Sequence, residues 1–120
     1  MSTCMDRDGG RCFRCGEPLR DGWYSCHHRK LKSGGGTDSL DNRIMLHGSG
    51  TTGCHGWVHA HPQLARESGW LVSRYAEPGE VPVLHWERGM VYLLADGRVE
   101  TTEERARRLV PQPREATDDE

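Results

Sequence analysis

A chain of 120 residues with only 34% apolar residues and a mean hydropathy of −0.79 makes one small domain with a thin core. It has no apolar run near the ~20 residues of a membrane-crossing helix, which excludes a span. The net charge of −2 hides a division, because residues 11–74 carry nine basic and five acidic side chains, net +4, whereas residues 75–120 carry six against eleven, net −5.

The N-terminus, MSTCMDRDGG, has charges where a secretory signal would be apolar, so a cytoplasmic location is expected. In a reducing compartment an odd number of cysteines, five, reads as thiolates for metal rather than as a disulfide framework. Residues 1–10 lack a periodic pattern and are expected to form a flexible leader with Cys4 as a spare thiol. RCFRCG then forms a Cys-x-x-Cys turn, Cys12 and Cys15, closed by Gly16. Residues 22–28 open with aromatics and have the length of a strand. Residues 29–41 lose apolar periodicity around Gly34, Gly35 and Gly36, the composition of a long loop.

A second strand is predicted from Asn42 to His47, and GSGTTG turns the chain, with Thr51 or Thr52 as a cap. Residues 54–67 read as helix, kinked or restarted at Pro62 and ended by Gly69. GWLVSRY, PVLHW and MVYLLADG read as short extended pieces, so a small sheet or hairpin is expected in 70–99. Glu103 and Glu104 ahead of Arg105, Arg107 and Arg108 suit a short helix by its dipole, stopped by Pro111 and Pro113. The organisation expected is a leader (1–10), a core (11–75), a β-hairpin packed on it (76–100), and a short helix with a disordered acidic tail (101–120).

The chemistry is concentrated in the basic part. A structural zinc takes four ligands and leaves none open, and the soft set Cys12, Cys15 and Cys54 with His47 meets that need. Such a site would substitute for missing core. His55 and His59 stand four apart on the predicted helix and project from one face, and His27 at the end of the first strand can complete a three-His site with open positions. His28 then points to the other side of the strand, free of metal. A neutral imidazole beside a bound cation is what phosphodiester hydrolysis needs, a base for water and a Lewis acid for the leaving oxygen.

His28, Asn42 and His55 in that order, behind a Cys pair and with Cys54 directly before the last His, resemble an HNH endonuclease with its ββα-metal fold. His27-His28 and the His55/His59 pair are similar to the colicin-type arrangement, and CHHRKLKSGGG with DNRIMLHGSGTTGCHGWVH resembles the small HNH nucleases of bacteriophages. The resemblance covers roughly residues 11–75. It implies an α+β, zinc-stapled core and a metal-dependent DNA endonuclease. In it His28 is the general base, Asn42 pins the loop between the strands, and His27, His55 and His59 bind the catalytic divalent ion. Arg29, and with it Lys30 and Lys32, would contact DNA phosphates. The family commonly has Asp where His27 stands, which moves the expected ion from magnesium alone toward manganese, nickel or zinc, and the phage relatives usually have Cys where His47 stands. The setting implied is phage genome packaging beside terminase or portal proteins, in the host cytoplasm.

A different class of function fits some of the same residues, a catalytically inactive zinc-stapled adaptor whose acidic second half docks a basic partner. A thiol oxidoreductase fits poorly, with one Cys-x-x-Cys and no βαβ pattern around it. His61 and His85 are read as ordinary solvent or packing histidines, Trp57, Trp70 and Trp86 as packing, and Arg66 and Arg74 as solvating residues.

Overall fold

The computed structural model describes residues 3–20 and 22–110. The predicted acidic tail and the stops at Pro111 and Pro113 lie outside the described residues. The described residues form an α+β architecture with two small antiparallel sheets and four α-helices.

The first sheet pairs β1 (Tyr24–His28) with β2 (Arg43–His47), with His27 opposite Ile44 and His28 opposite Arg43. Strand alternation buries His27 and leaves its neighbours Cys26 and His28 more open. The helix α2 (Gly53–Ala60) packs on both strands and buries Cys54, Gly56 and Val58. It stops at His61, whose backbone leaves the helical region ahead of the proline, and α3 (Pro62–Glu67) restarts with Pro62 in its first turn. The predicted helix of 54–67 is therefore two helices.

The second sheet runs β3 (Val83–His85), β4 (Gly89–Leu93) and β5 (Val99–Thr101), so the expected hairpin gains a third strand. Thr101 caps α4 (Thr102–Leu109) by accepting from the Glu104 N–H while the Glu104 carboxylate accepts from the Thr101 N–H. The segment GWLVSRY is not a strand. Its Trp70, Leu71 and Val72 are buried instead, and the Val72 N–H donates to the Arg29 carbonyl. One apolar cluster joins Phe13, Ile44, Leu46 and Val58 to Trp70, Leu71, Val83, Val91 and Leu93, so both sheets share one core.

Two expectations are corrected here. The described part of the leader is folded: α1 (Cys4–Arg7) is capped by Thr3, and Cys4 is buried rather than spare. The next residue, Asp8, is buried with its carboxylate accepting from the Met45 N–H on the open edge of β2, and Arg7 donates to the Leu40 and Arg43 carbonyls. Arg29 cannot meet a phosphate, because it is wholly buried. Its guanidinium donates to the carbonyls of Asp41, Gly69, Pro78 and Val81, tying the loop before β2 to the two segments that follow α3. Burial lowers its pKa to about 10, so it remains a cation at neutral pH.

Removing that guanidinium leaves four carbonyls without their donor. Arg29→Met is expected to cost about 3 kcal/mol or more in denaturant unfolding, and Arg29→Lys nearly as much because one ammonium cannot span the same fork. A loss below about 1 kcal/mol would contradict this role.

Candidate metal centres

Two clusters of ligand atoms form where β1, β2, α2 and the N-terminal turn meet. In the first, Cys12, Cys15, His47 and Cys54 bring their ligand atoms within 4.8 Å of one another, close enough to hold a metal ion. The turn from Cys12 to Gly16 is closed by the Gly16 N–H donating to the Cys12 carbonyl at 2.9 Å. Gly16 has a φ of 81°, and a Cβ there would stand 2.4 Å from the Trp86 ring, so only glycine fits. Cys15 Sγ lies 3.3 Å from His47 Nδ1 at the end of β2, and Cys54 enters from the first turn of α2. Between them Gly48 reverses the chain, and a Cβ on it would meet the Thr52 carbonyl at 2.1 Å. Thr52 occupies the cap position of α2 without capping it, its hydroxyl accepting from the Ser49 N–H instead.

The thiols are electrostatically strained against one another. Hydrogen bonding from Cys54 holds Cys12 down at about 4, and the same bond pushes Cys54 up. Burial raises Cys15. Three thiolates so close ionise together only around a cation, and three thiolates with one imidazole form a closed, soft set that suits zinc. Arg14, which the sequence reading passed over, donates to Cys54 Sγ at 3.2 Å and stacks on Trp57 at 4.0 Å. An arginine inside the Cys-x-x-Cys turn is the only trace this leaves in the sequence.

The second cluster holds His27, His55 and His59, again with ligand atoms within 4.8 Å. His55 and His59 face each other with their Nε2 atoms 3.1 Å apart, as two nitrogens sharing one ion at 2.0–2.1 Å would be. His27 is fixed from behind, because its Nε2 donates to the Trp70 carbonyl at 2.7 Å and leaves Nδ1 with the lone pair. Burial lowers the His27 pKa to about 3, with the two other imidazoles contributing, and burial lowers His55 as well. Both stay neutral near pH 7, the state a metal ligand requires. His55 Nδ1 is buried and has no hydrogen-bond partner among the described residues.

His28 stands outside this cluster. Its Nε2 lies 2.7 Å from Asp38 Oδ1 and donates to that carboxylate, so in the neutral ring the lone pair is on Nδ1. Asp38 was visible in the sequence only as one polar residue of a glycine-rich loop. Its carboxyl is held below the usual range, first by the hydrogen bond from His28 and then by Lys32. Asn42 is fully buried. Its side-chain oxygen accepts from the Lys30 N–H, its amide donates to the Lys30 and Thr37 carbonyls, and its own carbonyl accepts from the Arg29 N–H. The residues directly after His28 are thus clamped to the start of β2. Lys32 is exposed and paired with Asp38, and Lys30 is largely covered and lies 3.9 Å from Glu77. Cys26 belongs to neither cluster. It shares a hydrogen bond with Cys4, which together with Arg43 lowers it to about 6.

The two clusters differ in what their loss does. Stripping metal with a strong chelator is expected to abolish the cooperative unfolding transition, and Cys54→Ser to do the same, followed by circular dichroism and bound zinc. His59→Ala is expected to keep the fold and one bound ion while losing the second in a titration with nickel or cobalt. An unchanged spectrum after complete metal removal would refute the first expectation, and unchanged stoichiometry in His59→Ala the second. Among the described residues, no helix is long and apolar enough to cross a membrane. Compared with models of protein families, with curated proteins and with solved structures, the chain has no match.

Proposed function

We propose that the protein is a metal-dependent endonuclease that hydrolyses DNA phosphodiester bonds, with zinc at Cys12, Cys15, His47 and Cys54 holding the fold. The observation that carries this reading is the convergence of three imidazoles, His27, His55 and His59, next in the chain to a fourth, His28, that is hydrogen-bonded to a carboxylate. A divalent ion bound by the three would supply Lewis acidity at the scissile phosphate and stabilise charge on the leaving oxygen. His28 acts as the general base, accepting a proton from water at Nδ1 while Asp38 fixes the ring through Nε2. Asn42 is a positioning residue, because its amide clamps the backbone that follows His28. His27 keeps its ring orientation through the Trp70 carbonyl. Lys32 remains exposed beside Asp38, where it can meet a phosphate. The HNH resemblance adds the expected setting, genome packaging in phage-infected cytoplasm with terminase or portal proteins as partners.

Zinc-loaded protein is expected to nick plasmid DNA when magnesium, manganese, nickel or cobalt is added. His28→Ala is expected to lower the rate by about 10²–10⁴, the range of general-base catalysis. Asp38→Asn is expected to lower it by about tenfold and to leave bound zinc unchanged. Full activity in His28→Ala would remove it as the base. A folded, zinc-bound protein that cleaves with no ion would be the inactive adaptor instead.

A further inference from the structure

Outside both clusters, a cleft of about 350 Å³ opens past the end of β1, lined by Leu31, Ser33, Gly34, Arg66, Val72, Ser73 and Arg74. One wall begins at Leu31, three residues beyond His28. The other begins at Val72, whose N–H donates to the carbonyl of Arg29 at 2.8 Å, so the cleft is fastened to the residue that follows His28. The walls approach closely: a Cβ on Gly34 would stand 3.1 Å from Arg74 Cβ.

Of the described residues, two guanidiniums line this space and no carboxylate does. Among the described residues neither the Arg66 nor the Arg74 guanidinium has a hydrogen bond or an ion pair, in contrast to those of Arg7, Arg29, Arg98, Arg105 and Arg108, which all do. Arg74 has only the face of Tyr75, 5.8 Å from its ring centroid. Tyr75 is 90% exposed, although a tyrosine without a partner usually hides part of its ring. A turn holds it there, with the Ser73 hydroxyl accepting from the Tyr75 N–H and the Ser73 carbonyl from the Ala76 N–H. Paired cations with hydroxyls, and a displayed aromatic at the rim, are the equipment of a site that takes phosphates and stacks a base.

We infer that this cleft binds a single strand of DNA, Arg66 and Arg74 pairing with its phosphates and Tyr75 stacking an unpaired base. The identity of the polymer rests on the proposed function; the cleft's preference for a strand with an exposed base goes beyond it. The chain would then engage DNA where it is frayed, gapped or already nicked.

The test is fluorescence anisotropy of the full, zinc-loaded chain carrying His28→Ala, so that the probe stays whole. The probes are a labelled mixed-sequence oligonucleotide and the same sequence as a duplex, each over a range of salt. Arg66→Ala/Arg74→Ala is expected to weaken single-strand binding at least tenfold and to reduce the slope of log affinity against log salt by about one to two. Arg66→Lys/Arg74→Lys should retain most of that slope. Tyr75→Ala should weaken single-strand binding by about tenfold and leave duplex binding unchanged. All three positions are exposed, and zinc content with circular dichroism checks that each variant is folded. The inference is overturned if the parent binds no single strand, if the double alanine variant keeps its affinity and slope, or if Tyr75→Ala affects neither probe. Arginine-dependent binding by a chain that cleaves with no ion would retain the cleft and remove the hydrolase reading; His28-dependent cleavage with arginine-independent binding would do the reverse.

Discussion

Everything near the candidate site depends on where the first turn of α2 is held. Cys54 and His55 are consecutive, and a helix turns about 100° between neighbours, so each goes to a different cluster. His59, one turn further, returns to the side of His55. The position of α2 is set by the Cys12, Cys15 and His47 donors that Cys54 joins and by Val58 in the core below. Small displacement of either would separate the imidazoles of His55 and His59 from His27 on the strand. Arg14 strengthens this anchorage twice over. It lies over the rings of Trp57 and Trp70, and it brings positive charge to the cysteine sulfurs through Cys54.

The clusters have opposite electrical character, and each is built from what its surroundings permit. Thiolates need compensating cation, and they are grouped where Arg14 and the loop after β2 can approach. The imidazoles need none, and burial of His27 against Trp70 keeps it neutral. Arg29 shows the same economy used differently. A cation immediately after the candidate base is withdrawn from solvent and surrounded by carbonyls, so it braces the backbone around the site and adds no contact surface.

The ligand groups were legible because thiols and imidazoles are few and their spacing is local: a Cys-x-x-Cys turn, adjacent residues of a strand, a pair one helical turn apart. The same holds for β2, α4 and the break at Pro62. Arg29 was misread because its partners are main-chain carbonyls from Asp41 to Val81, and carbonyls have no signature in a sequence. Asp38 was missed for a related reason, since its pairing with His28 requires the loop of 29–42 to fold back on itself. That loop has no hydrophobic period to announce its path; two short 3₁₀ turns and the Asn42 amide shape it. β5 is only three residues long, too short for alternation to mark it.

The carboxylate of Asp8 on the Met45 N–H has a meaning for where this domain starts. A two-stranded sheet has two open edges, and open edges invite pairing with other chains. On the β2 side, Asp8 takes up a strand N–H and Arg7 takes up a strand carbonyl, so the polypeptide ahead of the Cys-x-x-Cys turn serves as a side-chain substitute for a third strand. The smallest unit that can stand alone in water therefore includes those residues, although all the ligand chemistry begins after them. A boundary drawn at the first metal-binding cysteine would keep every ligand and lose the guard on the sheet.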